Sequence, residues 1–336
     1  MVHRRVLATA ALALAATLAR PGLAAADDKI VAMFPTWPGY APVMVAEELG
    51  YFRDEGLTVA WRFEDDRSVV MAAMARGDID MDMRTIGEHQ GTPRDASTPG
   101  IIIGTIDVSL GGDGVVVDQT IDNAAELKGK IFASEPNVPA RLLIQVVLKK
   151  EGLTLADVKL KEVATADSIT VFSDPSVMGL ATYEPYLSQL LKLTSRPGAK
   201  VLVSSKDYPG IITDIITARN DALAANPEKF RKFLRGVYRA IDLYKKDPQK
   251  FLEVAAPSFS MSPAELKGVI DSGLVYTSYE DALDYLGKPD APGKLYALFD
   301  QVMELNLEYG AATTKLDASR QIDNHLVDGL FDGKAR

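Results

Sequence analysis

From residue 29 to residue 218 the chain alternates short apolar runs with segments of helical period, and that alternation leaves few folds open to it. Residues 29–33 alternate and lead into a Pro/Gly loop, Pro35-Thr36-Trp37-Pro38-Gly39-Tyr40. Pro42 then opens a helix with Val43, Ala46, Leu49 and Phe52 on one face, stopped at Gly56. Residues 57–63 are strand-like, Ser68 caps a helix that runs to Met74 and ends at Gly77, and 79–83 form a short strand. Strands and helices alternating at this spacing predict an α/β fold with parallel pairing.

The pattern restarts at 114–117, a buried β-run, followed by a short helix at 123–127 and a strand at 130–134. A helix at 139–150 ends at Gly152, and 158–163 reads as a strand. Helix 167–172, strand 177–182, helix 184–191 and strands 201–204 and 211–218 follow. From Pro227 onward the chain is almost wholly helical, at 227–246, 248–255, 263–271, 279–286, 292–309 and 315–330. One unit occurs twice: helix, tight loop, short strand, then a polar residue at the next helix entrance. It spans 68–85, ending in Arg84-Thr85, and 167–184, ending in Tyr183-Glu184. Ligands in open α/β sheets sit outside the carboxyl ends of strands, so the echo predicts two similar lobes offering loops to one cleft.

The first 26 residues stand outside that fold. Met1-Val2-His3-Arg4-Arg5 is a basic start, residues 6–19 are apolar, and Leu23-Ala24-Ala25-Ala26 precedes Asp27 with small residues. This reads as a secretory signal cleaved near Ala26, its apolar run falling short of the ~20 residues of a membrane span. A retained interfacial anchor is the other reading, and Arg4-Arg5 leaves twin-arginine export open beside general secretion. No later stretch is long and apolar enough to span, which makes the rest an exported soluble protein, expected in the periplasm.

Composition narrows the chemistry. There are no cysteines among 336 residues, which excludes disulfides, thiolate metal sites, a thiol nucleophile and a lipidated cysteine. Three histidines, His3, His89 and His325, exclude a His-rich metal centre. The net charge is −9, and −12 once Arg4, Arg5 and Arg20 are removed with the leader, which argues against nucleic acid as the main partner.

Several segments together carry a family likeness. They are Tyr40-Ala41-Pro42, Ala46-Glu47-Glu48-Leu49-Gly50-Tyr51-Phe52, Glu55-Gly56-Leu57, Ala75-Arg76-Gly77-Asp78-Ile79-Asp80, the stretch 123–130, and Tyr183-Glu184-Pro185-Tyr186-Leu187. In their order and spacing the chain from about 28 to 310 resembles the extracytoplasmic solute-binding proteins of ABC importers, in the branch handling nitrate, sulfonates, taurine and thiamine-pyrimidine precursors. Gly111-Gly112-Asp113-Gly114-Val115-Val116, taken with 183–187, is most similar to a sub-branch tied to urea- and guanidine-related uptake. Two stretches depart from the pattern: Asp174-Pro175-Ser176-Val177-Met178 replaces the expected second turn, and Arg84 stands where small or hydroxyl residues are commoner.

The resemblance implies a periplasmic-binding-protein type II fold, two α/β lobes around a ligand cleft with a helical C-terminal region. Lobe 1 would comprise 27–113 and 209–336, lobe 2 residues 114–208, with hinges near 114–117 and 206–213. It implies a monomeric receptor that closes on a small solute and delivers it to an inner-membrane permease, with no cofactor, no metal and no catalysis. Enzymes share the architecture, but the thiamine-pyrimidine synthases use a cysteine-rich segment absent here, and the menaquinone-pathway dehydratases are cytoplasmic.

Ten residues are candidates for the cleft: Trp37, Tyr40, Arg84, Thr85, Asp113, Pro139, Arg141, Tyr183, Glu184 and Asp214. Trp37 and Tyr40 lie in the first strand–helix loop, where a ring either stacks on a planar ligand or cation or packs the loop down. Pro42 and Pro139 each sit in a first helical turn, whose free N–H groups attract anions. Arg84 either clamps an oxyanion or pairs with Asp113 or Glu88, and the pairing is preferred. Asp113 follows two glycines, and Asp214 interrupts the apolar run 211–216, where an unpaired carboxylate is costly. Glu184 joins the cleft or caps its own helix. Three carboxylates around one pocket favour a ligand rich in N–H donors, namely an amine, amidine, urea or aminopyrimidine. Arg84 and Arg141 keep a zwitterion such as taurine, an alkanesulfonate or nitrate in play. His89 reads as solvated, His325 lies in the terminal helix, and the basic stretch 229–246 reads as a solvated face over buried Phe230, Phe233, Val237 and Ile241, with permease docking as the alternative.

Overall fold

The computed structural model describes residues 28–334 apart from Ala96, Asn137 and Thr194, so the expected signal segment lies outside the described residues. Eleven strands build two sheets: β1 Asp28–Phe34, β2 Leu57–Phe63, β3 Met81–Thr85, β4 Ile101–Ser109, β5 Asp113–Val117, β6 Ile131–Ser134, β7 Lys159–Glu162, β8 Val177–Tyr183, β9 Lys200–Ser204, β10 Thr213–Ala218 and β11 Leu274–Tyr276. The first sheet has the order β11-β4-β10-β3-β1-β2, the second β7-β6-β8-β5-β9. The chain is an α/β protein of two lobes.

Among these eleven strands, parallel pairing holds where a helix returns the chain to its own sheet. There β1 pairs β2 from Asp28↔Leu57 to Phe34↔Phe63, β1 pairs β3, and β6 pairs both β7 and β8. Elsewhere the sequence expectation of parallel strands fails. The first sheet's β10 is antiparallel to β3 and β4, as β11 is to β4, and the second sheet's β5 is antiparallel to β8 and β9. The cause is the route of the chain, which leaves the first sheet after β4 and re-enters it through β10.

The strand β4 was not foreseen from the sequence. It is buried on both faces, so its apolar run has no period of two to betray it. Gly104 at its centre lets a helix lie directly on the strand, since a Cβ there would stand 2.9 Å from Leu234 and 3.2 Å from the Tyr238 hydroxyl. That helix, Pro227–Lys246, buries Phe230, Phe233, Val237 and Ile241 completely, while Lys229, Arg231, Lys232, Arg235 and Arg239 all make ion pairs.

Other elements fall close to expectation, with local corrections. Helix Arg67–Arg76 is capped by Asp66, whose carboxylate accepts from the Ser68 backbone at 2.8 Å, rather than by Ser68. The expected helix at 315–330 shrinks to Ala318–Gln321. Arg231 donates to the carbonyls of Leu326 and Gly329 (2.8 and 3.0 Å), holding the following turns in place, and His325 therefore lies exposed in a turn. His89 is buried, not solvated, with Nε2 at 2.9 Å from Gln321, and burial pulls its pKa well below the ordinary value.

The chain crosses between sheets at 110–112 and 205–212, side by side. Ser109 and Ser205 hydroxyls meet at 2.8 Å, Gly111 N–H donates to Ser205 Oγ at 2.7 Å, and Leu110 and Gly112 N–H both donate to the Gly273 carbonyl (2.7 and 2.9 Å). Gly111 has φ +117°, and a Cβ there would stand 2.4 Å from the Ser272 carbonyl. The strand expected at 114–117 is part of β5, directly after the first crossing, and pairs with β8 and β9.

Candidate functional site

Between the two sheets, where strand-end loops converge, lies a cavity of about 440 Å³, its solvent mouth included. The first sheet supplies Pro35, Trp37 and Tyr40 from the loop after β1, Arg67 from the start of helix Arg67–Arg76 after β2, Arg84, Thr85 and Glu88 around the end of β3, and Asp214 from β10. The second supplies Asp113 at the head of β5, Glu135, Pro136, Val138 and Pro139 between β6 and helix Pro139–Lys150, and Tyr183 at the end of β8. Eight sequence candidates thus share one cavity: Trp37, Tyr40, Arg84, Thr85, Asp113, Pro139, Tyr183 and Asp214.

Its aromatic wall is fixed by acids. Trp37 Nε1 lies 3.2 Å from both oxygens of Asp107, and the Tyr40 hydroxyl donates to Asp214. Packing and cleft lining are therefore the same thing for these two rings. Tyr183 meets Trp37 edge to face, with centroids 6.3 Å apart at 81°. Asp65 accepts from Thr36 N–H at 2.7 Å and from the Tyr183 and Tyr186 hydroxyls at 3.4 Å each, so one carboxylate joins the two lobes.

The acids themselves are the unusual feature. Asp107 and Asp214 are both driven well above the normal carboxylate range, first by burial, with the charge of Asp113 raising Asp107 and those of Asp107 and Asp113 raising Asp214. Asp113 is pushed up to about 7 by burial, against a lowering hydrogen bond from Ser109. The cavity thus stores exchangeable protons and acceptor oxygens near neutral pH.

Arg84 is paired, as preferred from sequence, and its partner is Glu88 at 3.0 Å. Its Nη2 also donates to the carbonyls of Glu64 (3.0 Å) and Asp65 (3.3 Å), tying the end of β3 to the loop after β2. Thr85 and Glu88 form a reciprocal cap on the helix Ile86–Gln90. Two candidates lie elsewhere. Glu184 does not line the cavity: its carboxylate accepts from Ser188 N–H (3.2 Å) and Oγ (2.6 Å), capping the helix Tyr186–Leu191. Arg141 lines an adjoining space of about 790 Å³ that shares Thr85, Glu88, Pro136, Val138 and Pro139, and it faces Glu162 at 3.8 Å.

Sequence reasoning missed Arg67, Glu88 as a lining residue, Asp107 and Glu135. Asp107 was findable, because it interrupts the apolar run 101–108 as Asp214 interrupts 211–216. Arg67 follows Glu64-Asp65-Asp66 in sequence, yet in the fold none of these acids reaches its guanidinium. Among the described residues no group of three or more His, Asp or Glu side chains is arranged to hold a metal ion, and no helix is long and apolar enough to cross a membrane.

The NMT1/THI5 like family model matches residues 37–251. A protein of Brucella abortus (strain 2308), named only as a binding protein, is 21% identical over 313 residues, covering 92% of this chain and 93% of that one. The 4-amino-5-hydroxymethyl-2-methylpyrimidine phosphate synthase of Aspergillus parasiticus is 29% identical over 228 residues, 64% of this chain and 66% of that protein. Among solved structures, the alkanesulfonate-binding protein SsuA of Xanthomonas axonopodis pv. citri, bound to MOPS, superposes with a TM-score of 0.72 at 15% identity, covering 90% of this chain and 100% of that one.

Proposed function

The chain belongs to the NMT1/THI5 like family, and on that premise we propose that it is the periplasmic solute-binding component of an ABC import system. It captures a small polar, nitrogen-containing solute of the urea, guanidine or aminopyrimidine kind in the cavity between its sheets and hands it to a membrane permease. The observation that carries this reading is the pair Asp113 and Asp214, buried carboxylates in the wall of one cavity with Asp107 behind Trp37, all three with pKa values raised by burial. Such groups accept N–H donors and gain a counter-charge when a cation arrives. The reading needs no covalent chemistry. The ten sequence candidates divide accordingly, eight at the solute and Arg141 and Glu184 in supporting positions.

A second reading, an alkanesulfonate, taurine or nitrate receptor, is favoured by the likeness to a sulfonate-binding protein. Thermal unfolding of the chain from residue 27 against guanidinium, urea, an aminopyrimidine, taurine, an alkanesulfonate and nitrate separates the two. A ligand at about a thousand times its Kd stabilises by roughly 4 kcal/mol, a shift of several degrees. A shift with nitrogen donors alone supports the acidic cavity; one with sulfonate or nitrate alone replaces it by the second reading.

A further inference from the structure

Arg67 lines the cavity and is 8% exposed, yet Nε, Nη1 and Nη2 have no hydrogen-bond acceptor among the described residues. Every other guanidinium nearby is engaged. Arg84 holds Glu88 and two carbonyls, Arg94 donates to the His89 carbonyl at 2.7 and 2.9 Å, and Arg141 faces Glu162. The groups that act electrostatically on Arg67 are Glu88, Arg84, Asp82 and Glu135, and all but Asp82 line the cavity, which puts its charge in the cavity's field. A planar fork of donors in that position is built to be met by an oxyanion.

The second lobe brings a matching element. Helix Pro139–Lys150 starts at the cavity with Val138 and Pro139 in its wall, and Val138 offers no side-chain cap to the free N–H groups of the first turn. Those groups carry the positive end of the helix, so the unpartnered guanidinium and the helix start give the cavity two anion-seeking features, one from each lobe.

We infer that the solute is a small zwitterion, whose carboxylate or sulfonate is anchored on Arg67 against the start of helix Pro139–Lys150 while its nitrogen end meets the acids around Asp113. This rests on the solute-binding reading above and joins the two ligand chemistries weighed there in one molecule: a nitrogen donor alone leaves Arg67 unanswered, and an oxyanion alone leaves the acids unanswered. Because the anchor draws on both lobes, the oxyanion also favours the closed form.

Calorimetric titration of the wild-type chain and of Arg67→Met tests it, with β-alanine, taurine and guanidinoacetate as zwitterions, ethylammonium, guanidinium and urea as nitrogen probes, and propionate and ethanesulfonate as oxyanion probes. At least one zwitterion is expected to bind roughly 10- to 100-fold more tightly than either of its halves, and Arg67→Met to remove that margin while leaving the nitrogen probes within about threefold. Taurine against β-alanine tells sulfonate from carboxylate. Apo Arg67→Met is also expected to melt a few degrees higher than wild type, since an unpaired buried charge is gone, whereas a purely structural arginine would lower the melting temperature. Should Arg67→Met fold poorly, Arg67→Lys, which keeps charge but loses the fork, is expected to show an intermediate margin. Nitrogen probes that bind as well as the zwitterions, in both proteins, overturn the anchor and leave the solute-binding reading standing. Silence of every probe on the wild type overturns both.

Discussion

Asp107 and Asp214 sit opposite one another on the neighbouring antiparallel strands β4 and β10, and each takes the polar end of one cavity ring, Trp37 for Asp107 and Tyr40 for Asp214. Two buried acids in one rung cannot both ionise cheaply. The strand pairing that assembles the first sheet therefore also sets these two acids against each other and orients the aromatic wall of the cavity.

Asp113 makes stability depend on pH. Its pKa is about 7 in the folded protein and the usual 3.8 when unfolded, so between those values the folded state holds the extra proton. The unfolded state sheds it first, and stability falls as pH rises from about 4 to about 7, by roughly 4 kcal/mol at most. Asp113→Asn is expected to flatten that slope in urea melts of the apo protein and to raise stability at neutral pH. The same variant is expected to weaken binding of a cationic probe in calorimetry. A slope unchanged by the substitution would remove Asp113 from the account.

Arg84→Met is expected to destabilise strongly. Arg84 and Glu88 are both nearly inaccessible, and losing the cation leaves a buried carboxylate at the end of β3 while freeing the carbonyls of Glu64 and Asp65. Breaking a buried pair from one side costs roughly 3–5 kcal/mol, which denaturant midpoints at constant m-value would register. The effect should be opposite in sign to that of Arg67→Met.

Glu184→Ala is expected to cost about 1 kcal/mol through loss of its cap on Ser188, with solute affinity unchanged. Calorimetry on the variant decides between a cap and a cavity acid: a large loss of affinity would return Glu184 to the cleft.

Solute closure should be visible in tryptophan fluorescence. Of the two tryptophans, Trp37 touches Tyr183 of the other lobe, whereas Trp61 packs with Phe34 and Phe63 on the first sheet alone. A solute-dependent change is expected to survive Trp61→Phe and to vanish in Trp37→Phe.

How much of this was legible in the sequence depended on what kind of signal each residue left. Helices Pro139–Lys150, Pro227–Lys246, Pro248–Ala255 and Tyr279–Leu286 announce their own ends with a proline in the first turn, or with Ser278 capping Asp281. The strand β4 announces nothing, being buried on both faces, and with it Asp107 escaped notice. The antiparallel direction of β10 was equally hidden, because direction follows from the chain's detour through the second sheet and not from local pattern. Arg67 illustrates the limit most plainly: three acids precede it in sequence, and only the fold turns them all away.

The position of β10 between β3 and β4 has a consequence for how the chain matures. All five strands of the second sheet lie in the single stretch from Asp113 to Ser204, so that half can assemble from its own residues as soon as they exist. The first sheet cannot, since β4 waits at Ser109 for a partner that ends at Ala218. That wait lasts until the whole intervening stretch of about 100 residues is in place and its loop can close. Through it the apolar strand Ile101–Ser109 has an unpaired edge, a natural foothold for a holding chaperone and a reason for this lobe to fold last.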